Sequence, residues 1–286
     1  SGAQAINSLS MVAGRTLQVS GGSLTISQPS TVNGNLSLSG GTLTLDGATT
    51  LSGVYTQTGG VLNGTGTLTL TGAGSTWSGS NGSWVGGGTV VVANGADLTF
   101  SGVFGGNSLA GRTLTVQAGG TATIVGEVEV DAGTNVINNA GTFNLAGAGR
   151  LSHSYNSGGA VTFNNTGTLV KSGAGSFTFG TSGGDINLTN NGVINVNAGT
   201  LNYGSGTGSS TNTVNVSAGA TWQTSGAGMT FGAGSTFNSA GNIITSGGTA
   251  SFLMPTANFA QTGNLTVSAG TTTFRPDVAV RLISLS

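Results

Sequence analysis

Val214-Asn-Val216-Ser-Ala218-Gly219-Ala-Thr-Trp222 holds the fold in miniature. Two valines two residues apart point to one side of an extended chain, while the asparagine and serine point to the other. Ala-Gly then supplies a small residue and one free to take positive φ, which bends the chain without closing a hairpin. A second strand follows and ends on a large apolar residue. The frame recurs: Leu114-Thr-Val116-Gln-Ala118-Gly119 leads to Ile124, Ile194-Asn-Val196-Asn-Ala198-Gly199 to Tyr203, and Leu265-Thr-Val267-Ser-Ala269-Gly270 to Phe274. Val128-Glu-Val130-Asp-Ala132-Gly133 repeats it and Val90-Val-Val92-Ala-Asn94-Gly95 varies it.

Shorter alternating packets fill the rest of the chain. Those that begin at Thr16, Thr42, Thr67, Thr89 and Thr113 lie 26, 25, 22 and 24 residues apart. A drifting period in the twenties marks a solenoid with one coil per repeat. The asparagine pairs Asn138-Asn139, Asn164-Asn165 and Asn190-Asn191, at steps of 26 and 26, predict amide ladders at equivalent bends. The expected fold is all-β: a parallel β-helix (β-solenoid), right-handed, with roughly 11–12 coils of about 22–26 residues. Residues 1–274 form the single solenoid domain. In residues 275–286 glycine vanishes, and Val278, Val280, Leu282 and Leu285 suggest a strand-like tail that caps the stack or exchanges between copies.

Composition narrows function mostly by exclusion. The 286 residues include 55 Gly but only six Lys plus Arg and seven Asp plus Glu, a net charge of −1. Nucleic-acid binding has no electrostatic support. Zero Cys and one His leave no disulfide framework and no His cluster for a metal, so no cofactor is expected. No apolar run reaches the length of a membrane helix, and no signal peptide is read at the N-terminus. Membrane barrels need strands about twice as long as these packets. Four Asn-Gly pairs, from Asn33-Gly34 to Asn94-Gly95, keep an antiparallel sandwich or propeller as the minor alternative.

The stretch from Phe163-Asn-Asn-Thr-Gly through Lys171 to Phe177, with Asn190-Asn-Gly-Val-Ile-Asn-Val-Asn-Ala-Gly-Thr-Leu201, resembles β-solenoid repeats of large bacterial secreted and surface proteins. These are the autotransporter-passenger and filamentous-haemagglutinin-like adhesins. The resemblance implies an extracellular or cell-surface rod for adhesion, biofilm or surface coating. Its partners would be other copies of itself, neighbouring segments of a longer rod, or host-surface or matrix carbohydrate.

The only acidic cluster is Glu127, Glu129 and Asp131, with His153 and Tyr155 one coil later. Paired carboxylates on a β-helix surface suit sugar cleavage, and three close carboxylates suggest Ca²⁺. The repeat frame places Glu129 and Asp131 at outward slots used elsewhere by Thr, Asn, Gln and Ser, so a solvated strand face is expected. Arg15, Arg112, Arg150, Lys171, Arg275 and Arg281 are scattered rather than gathered over a groove, which favours a surface salt-bridged patch. If the chain were a carbohydrate-active β-helix, Glu127, Glu129 and His153 would carry the chemistry. Trp77, Trp84 and Tyr155 are candidates for a sugar-stacking surface, the tryptophans on a protruding loop, although core packing suits both better. Thr-x-Thr triplets such as Thr42/Thr44, Thr67/Thr69 and Thr121/Thr123 bring ice binding to mind. They show no fixed phase along the chain, which makes it the least supported reading. The expectation is a non-enzymatic structural or adhesive module, with a self-assembling fibre subunit as the alternative.

Overall fold

The structure is a computed structural model that describes residues 2–79, 81–103, 107–131, 133–153, 161–181, 185–278, 280 and 282–285. Among these are 35 strands in one continuous sheet and one 3-10 turn, Thr256–Asn258. The pairings are parallel throughout, which excludes the antiparallel alternatives. Along most of the chain each strand pairs with the third strand after it, so three strands make one coil. About 12 coils stack into a β-solenoid. The body has three faces. Face A starts at Ala3–Ile6, face B at Ser10–Met11, and face C with the first residues of Thr16–Ile26. That strand, like Asn35–Leu45, Asn242–Phe252 and Leu265–Phe274, turns a corner and serves two faces.

Coil length varies more than the sequence period indicates. Ser23, Thr42 and Val61 lie directly above one another at steps of 19 residues (23 to 42 to 61), whereas Arg150 and Thr178 are 28 apart (150 to 178). Thr16 sits on face C and Thr42 on face A, while Thr67, Thr89 and Thr113 share face B. The first two intervals in the sequence are therefore one short coil plus one strand and corner. Strands of equal length and alternation on three faces look alike in a linear reading.

The local logic of the frame holds. Inward residues Leu114, Val116, Ile194, Val196, Val214 and Val216 are at most 2% exposed. Gly95, Gly119, Gly133, Gly199, Gly219 and Gly270 all have positive φ, from 65° to 113°, and form the corners. Inside, like residues stack on like. Phe231, Phe252 and Phe274 share one column of face B, with ring centroids 4.8 and 5.1 Å apart and planes within 15°.

Face B also carries a buried amide ladder. The Asn139 amide donates to Asn165 Oδ1 at 2.7 Å, Asn165 to Asn190 Oδ1 at 2.6 Å, and Asn190 to the Ser210 hydroxyl at 2.9 Å. All four residues are at most 1% exposed. The steps are 26 and 25 residues, because Asn190 rather than Asn191 continues the column. Asn139 Oδ1, at the foot, is without a partner because the residue in register below it is Val116. At the other end of the chain the tail continues the stack. Leu282–Leu285 pairs in parallel with Leu265–Phe274, and Val278 and Val280 pack against the core.

Asn165→Ala removes the middle of the ladder and orphans Asn190 Oδ1 in the core. We expect a loss of about 2–4 kcal/mol in urea unfolding. Asn164→Ala, one residue away on the outward side, should cost less than about 1 kcal/mol. Equal losses would show that the ladder adds nothing beyond packing.

Candidate functional site

Glu127 and Glu129 occupy the outward positions of the strand Glu127–Val130 on face A. Arg150 lies in register with Glu127 and its Nη2 is 3.1 Å from Glu127 Oε2, so the expected surface ion pair is present. Glu129 lies between Ser108 and Ser152 and is only 9% exposed, which corrects the expectation of a fully solvated row. Asp131 accepts a hydrogen bond from the Ser108 hydroxyl in the coil below. His153 ends the strand Gly149–His153 in register with Val130 rather than with either glutamate. Its side chain, like all of Tyr155, lies outside the described residues. A shallow cleft of ≈ 360 Å³ beside this row is lined by Gly102, Val103, Gly126, Glu127, Ala148 and Gly149. Its only ionisable lining group is already paired with Arg150. Among the described residues no group of three or more His, Cys, Asp or Glu side chains is placed to hold a metal ion, so the Ca²⁺ candidate finds no support.

The other aspartates also link neighbouring coils. Asp97 accepts from the Gly74 amide at 2.9 and 3.0 Å, and Asp185 accepts from the Ser205 hydroxyl at 2.7 Å. Carboxylates in this molecule act mainly as clamps between rungs.

Trp77 and Trp84 are core residues, as packing favoured, and the sugar-stacking loop is corrected. Ser75–Gly79 and Gly82–Val85 are ordinary strands of faces C and A, not a protruding loop. Alternation turns both indoles inward, where Trp77 and Trp84 are 0% exposed and stack at 4.3 Å with planes 7° apart. Gly82 makes room, since a Cβ there would stand 2.4 Å from Trp77 Nε1. Beneath them Gln57 Oε1 accepts from both Tyr55 and Trp84, each at 2.6 Å.

Two of the cations scattered along the chain are buried. Arg112 lies inside the corner between faces A and B. Its Nη1 donates to the carbonyls of Val85 (2.8 Å) and Gly64 (3.2 Å), and Nη2 to Gly66 (3.2 Å). Gly88 permits this, because a Cβ there would lie 2.7 Å from Nη2. Burial pulls the guanidinium down to about 10, and the nearby Tyr55 offsets only part of that. Lys171 takes an inward slot between Leu145 and Val196, and its Nζ donates to the carbonyls of Ser172, Gly173 and Ala198 at 3.0, 2.8 and 3.3 Å. Burial lowers its pKa as well. Phase alone marks Lys171 as inward, by comparison with Val196 in the next repeat. Arg112 follows Gly111 at a corner and carries no such signal.

The outward surfaces of the faces differ in charge. Face A has Glu127, Glu129 and Arg150, and face C has Asp97. The outward strand positions of face B have no charge. One outward column of face B runs in register from Thr31, Thr50 and Thr69 through Val91, Thr115, Asn138, Asn164, Thr189 and Ser209 to Thr230, Ser251 and Thr273.

No protein-family profile matches this chain, and no curated protein is similar to it.

Arg112→Met takes the guanidinium from three carbonyls at two successive corners, Gly64 and Gly66 at one and Val85 at the next, while Gly64 and Gly66 keep the backbone donors Gly88 and Thr89. We expect a loss of about 1–3 kcal/mol, read from the unfolding midpoint. The stacked indoles nearby report the same change as a red shift of tryptophan emission in the folded state. A second outcome concerns pH. Burial raises the Tyr55 and Tyr203 hydroxyls well above their ordinary value near 10. Above that value the unfolded chain ionises while the folded chain does not, so it binds fewer protons. Stability therefore falls by about 1.4 kcal/mol per pH unit per tyrosine. Tyr203→Phe removes one of these slopes, so its stability relative to wild type should improve from about pH 9 to about pH 11. A constant difference across that range would contradict the assignment.

Proposed function

We propose that the chain is a structural or adhesive rod of a bacterial surface or secreted protein, working outside the cell without catalysis. The observation that carries this reading is how the few charges are used. The acidic row ties one coil to the next, through Glu127 to Arg150 and Asp131 to Ser108. What remains outward is a long repeat of neutral hydroxyl and amide groups. Such a surface makes many weak contacts in parallel, and their number rather than the strength of any one sets the avidity. Low charge also lets the rod approach another polymer, or another rod, without repulsion.

Retention on polysaccharide-coated and protein-coated surfaces tests this. Binding should persist with little change between low and high salt, because screening acts on charges that this surface lacks. Failure to bind any coated surface removes the adhesive reading. Incubation with acidic polysaccharides is the complementary assay: turnover by wild type that disappears in Glu129→Gln would replace the rod reading with an enzyme.

A further inference from the structure

The geometry points to face B as an ice-binding surface: a charge-free grid, mainly of threonine with serine, asparagine and valine, that orders water in the pattern of an ice plane. The Thr-x-Thr triplets lack a fixed phase in the sequence because coil length varies and because they fall on different faces. Thr42/Thr44, Thr67/Thr69 and Thr121/Thr123 belong to faces A, B and C respectively. Sorted by face, the outward positions of face B form two adjacent columns. Thr67 and Thr69 lie under Thr89 and Val91, and these under Thr113 and Thr115. The longer column keeps its register from Thr31 to Thr273, since the shifts near the ends of the stack fall at corners between faces. The grid spacing follows from strand geometry, about 4.8 Å between rungs and about 6.7 Å along each strand. A surface with two regular periods of this size can hold rows of water oxygens as a crystal plane does.

Three further observations single out this face. The hydroxyls of Thr67, Thr69, Thr113 and Thr115 bond to no other described residue, so they are available to water. No charge on the face orients water away from that arrangement. Farther along the same face, on the inward side of Asn135–Asn139, Val161–Asn165 and Ile186–Asn190, the buried ladder of Asn139, Asn165 and Asn190 fixes each of those rungs to the next. Face C is similar in threonine content but carries Asp97; outward amides pair along a column on both faces, Asn164 with Asn138 on face B and Asn215 with Asn195 on face C, each at 2.9 Å. A crystalline polysaccharide would call for exposed aromatic platforms, whereas Trp77, Trp84, Trp222, Tyr55 and Tyr203 are all buried. The inference is independent of the adhesive reading.

The test is partition into ice grown slowly from a dilute solution of the whole chain, with crystal shape recorded. Thr115→Lys places a charge in the middle of face B, and Thr123→Lys places the same charge on face C as a control. Thermal melts establish that both variants remain folded. We expect wild type and Thr123→Lys to enter the ice and Thr115→Lys to be excluded. Exclusion of wild type, or equal partition of the two variants, would overturn the proposal. So would binding to crystalline cellulose with no uptake into ice.

Discussion

The parallel backbone ladder between coils governs everything else in this molecule. Each residue has its nearest side-chain neighbours directly above and below, one coil away, so each column must tolerate the same kind of residue many times over. Apolar columns do so by packing, as in the Phe231, Phe252 and Phe274 stack. Amide columns do so because carboxamides both donate and accept. Charge cannot be repeated in this way, since like charges at rung spacing repel. The low charge of the chain follows from this constraint, as does the arrangement of its charges: Glu127 stands under Arg150 rather than under another carboxylate.

Corners obey a different rule. There the ladder turns, and carbonyls of successive coils line up facing the interior. A buried unpaired carbonyl is costly, and burying a charge without partners is costlier still. Arg112 and Lys171 resolve both at once. Each places a cation among carbonyls from more than one corner position, with no carboxylate involved. Buried cations are therefore part of the stacking device, reached from a corner in one case and from an inward strand slot in the other.

Much of this was legible in the residues and some was not. Val-x-Val followed by Ala-Gly encodes an inward pair and a positive-φ corner, and the structure places Val214, Val216 and Gly219 in those roles. The asparagine pairs foretold a ladder because only stacked amides make use of such spacing. Face identity was hidden: a 19-residue coil plus one strand mimics a coil of 25 or 26, so Thr16 and Thr42 looked equivalent and are not. The tryptophans were obscured by their glycine-rich surroundings, which serve to admit two stacked indoles. The pairing of Glu127 with Arg150 one coil on was legible in the sequence, whereas the burial of Glu129 between Ser108 and Ser152 depended on a register that the linear spacing did not reveal.

The buried asparagine ladder has a direction. Asn139 donates to Asn165 and Asn165 to Asn190, and the first two amides also reach the Thr168 and Val193 carbonyls at 3.1 Å. Asn165 and Asn190 cannot turn over alone without losing bonds on both sides, nor Asn139 without losing its bonds to the coil above. For the history of the sequence this acts as a ratchet. Between Asn139 and Ser210, a residue inserted within a face B strand ahead of its ladder residue would move that residue out of the column, whereas one inserted at a corner would leave the column intact. Coils in this part of the rod can lengthen only at their corners, and the rod itself can grow only by whole coils.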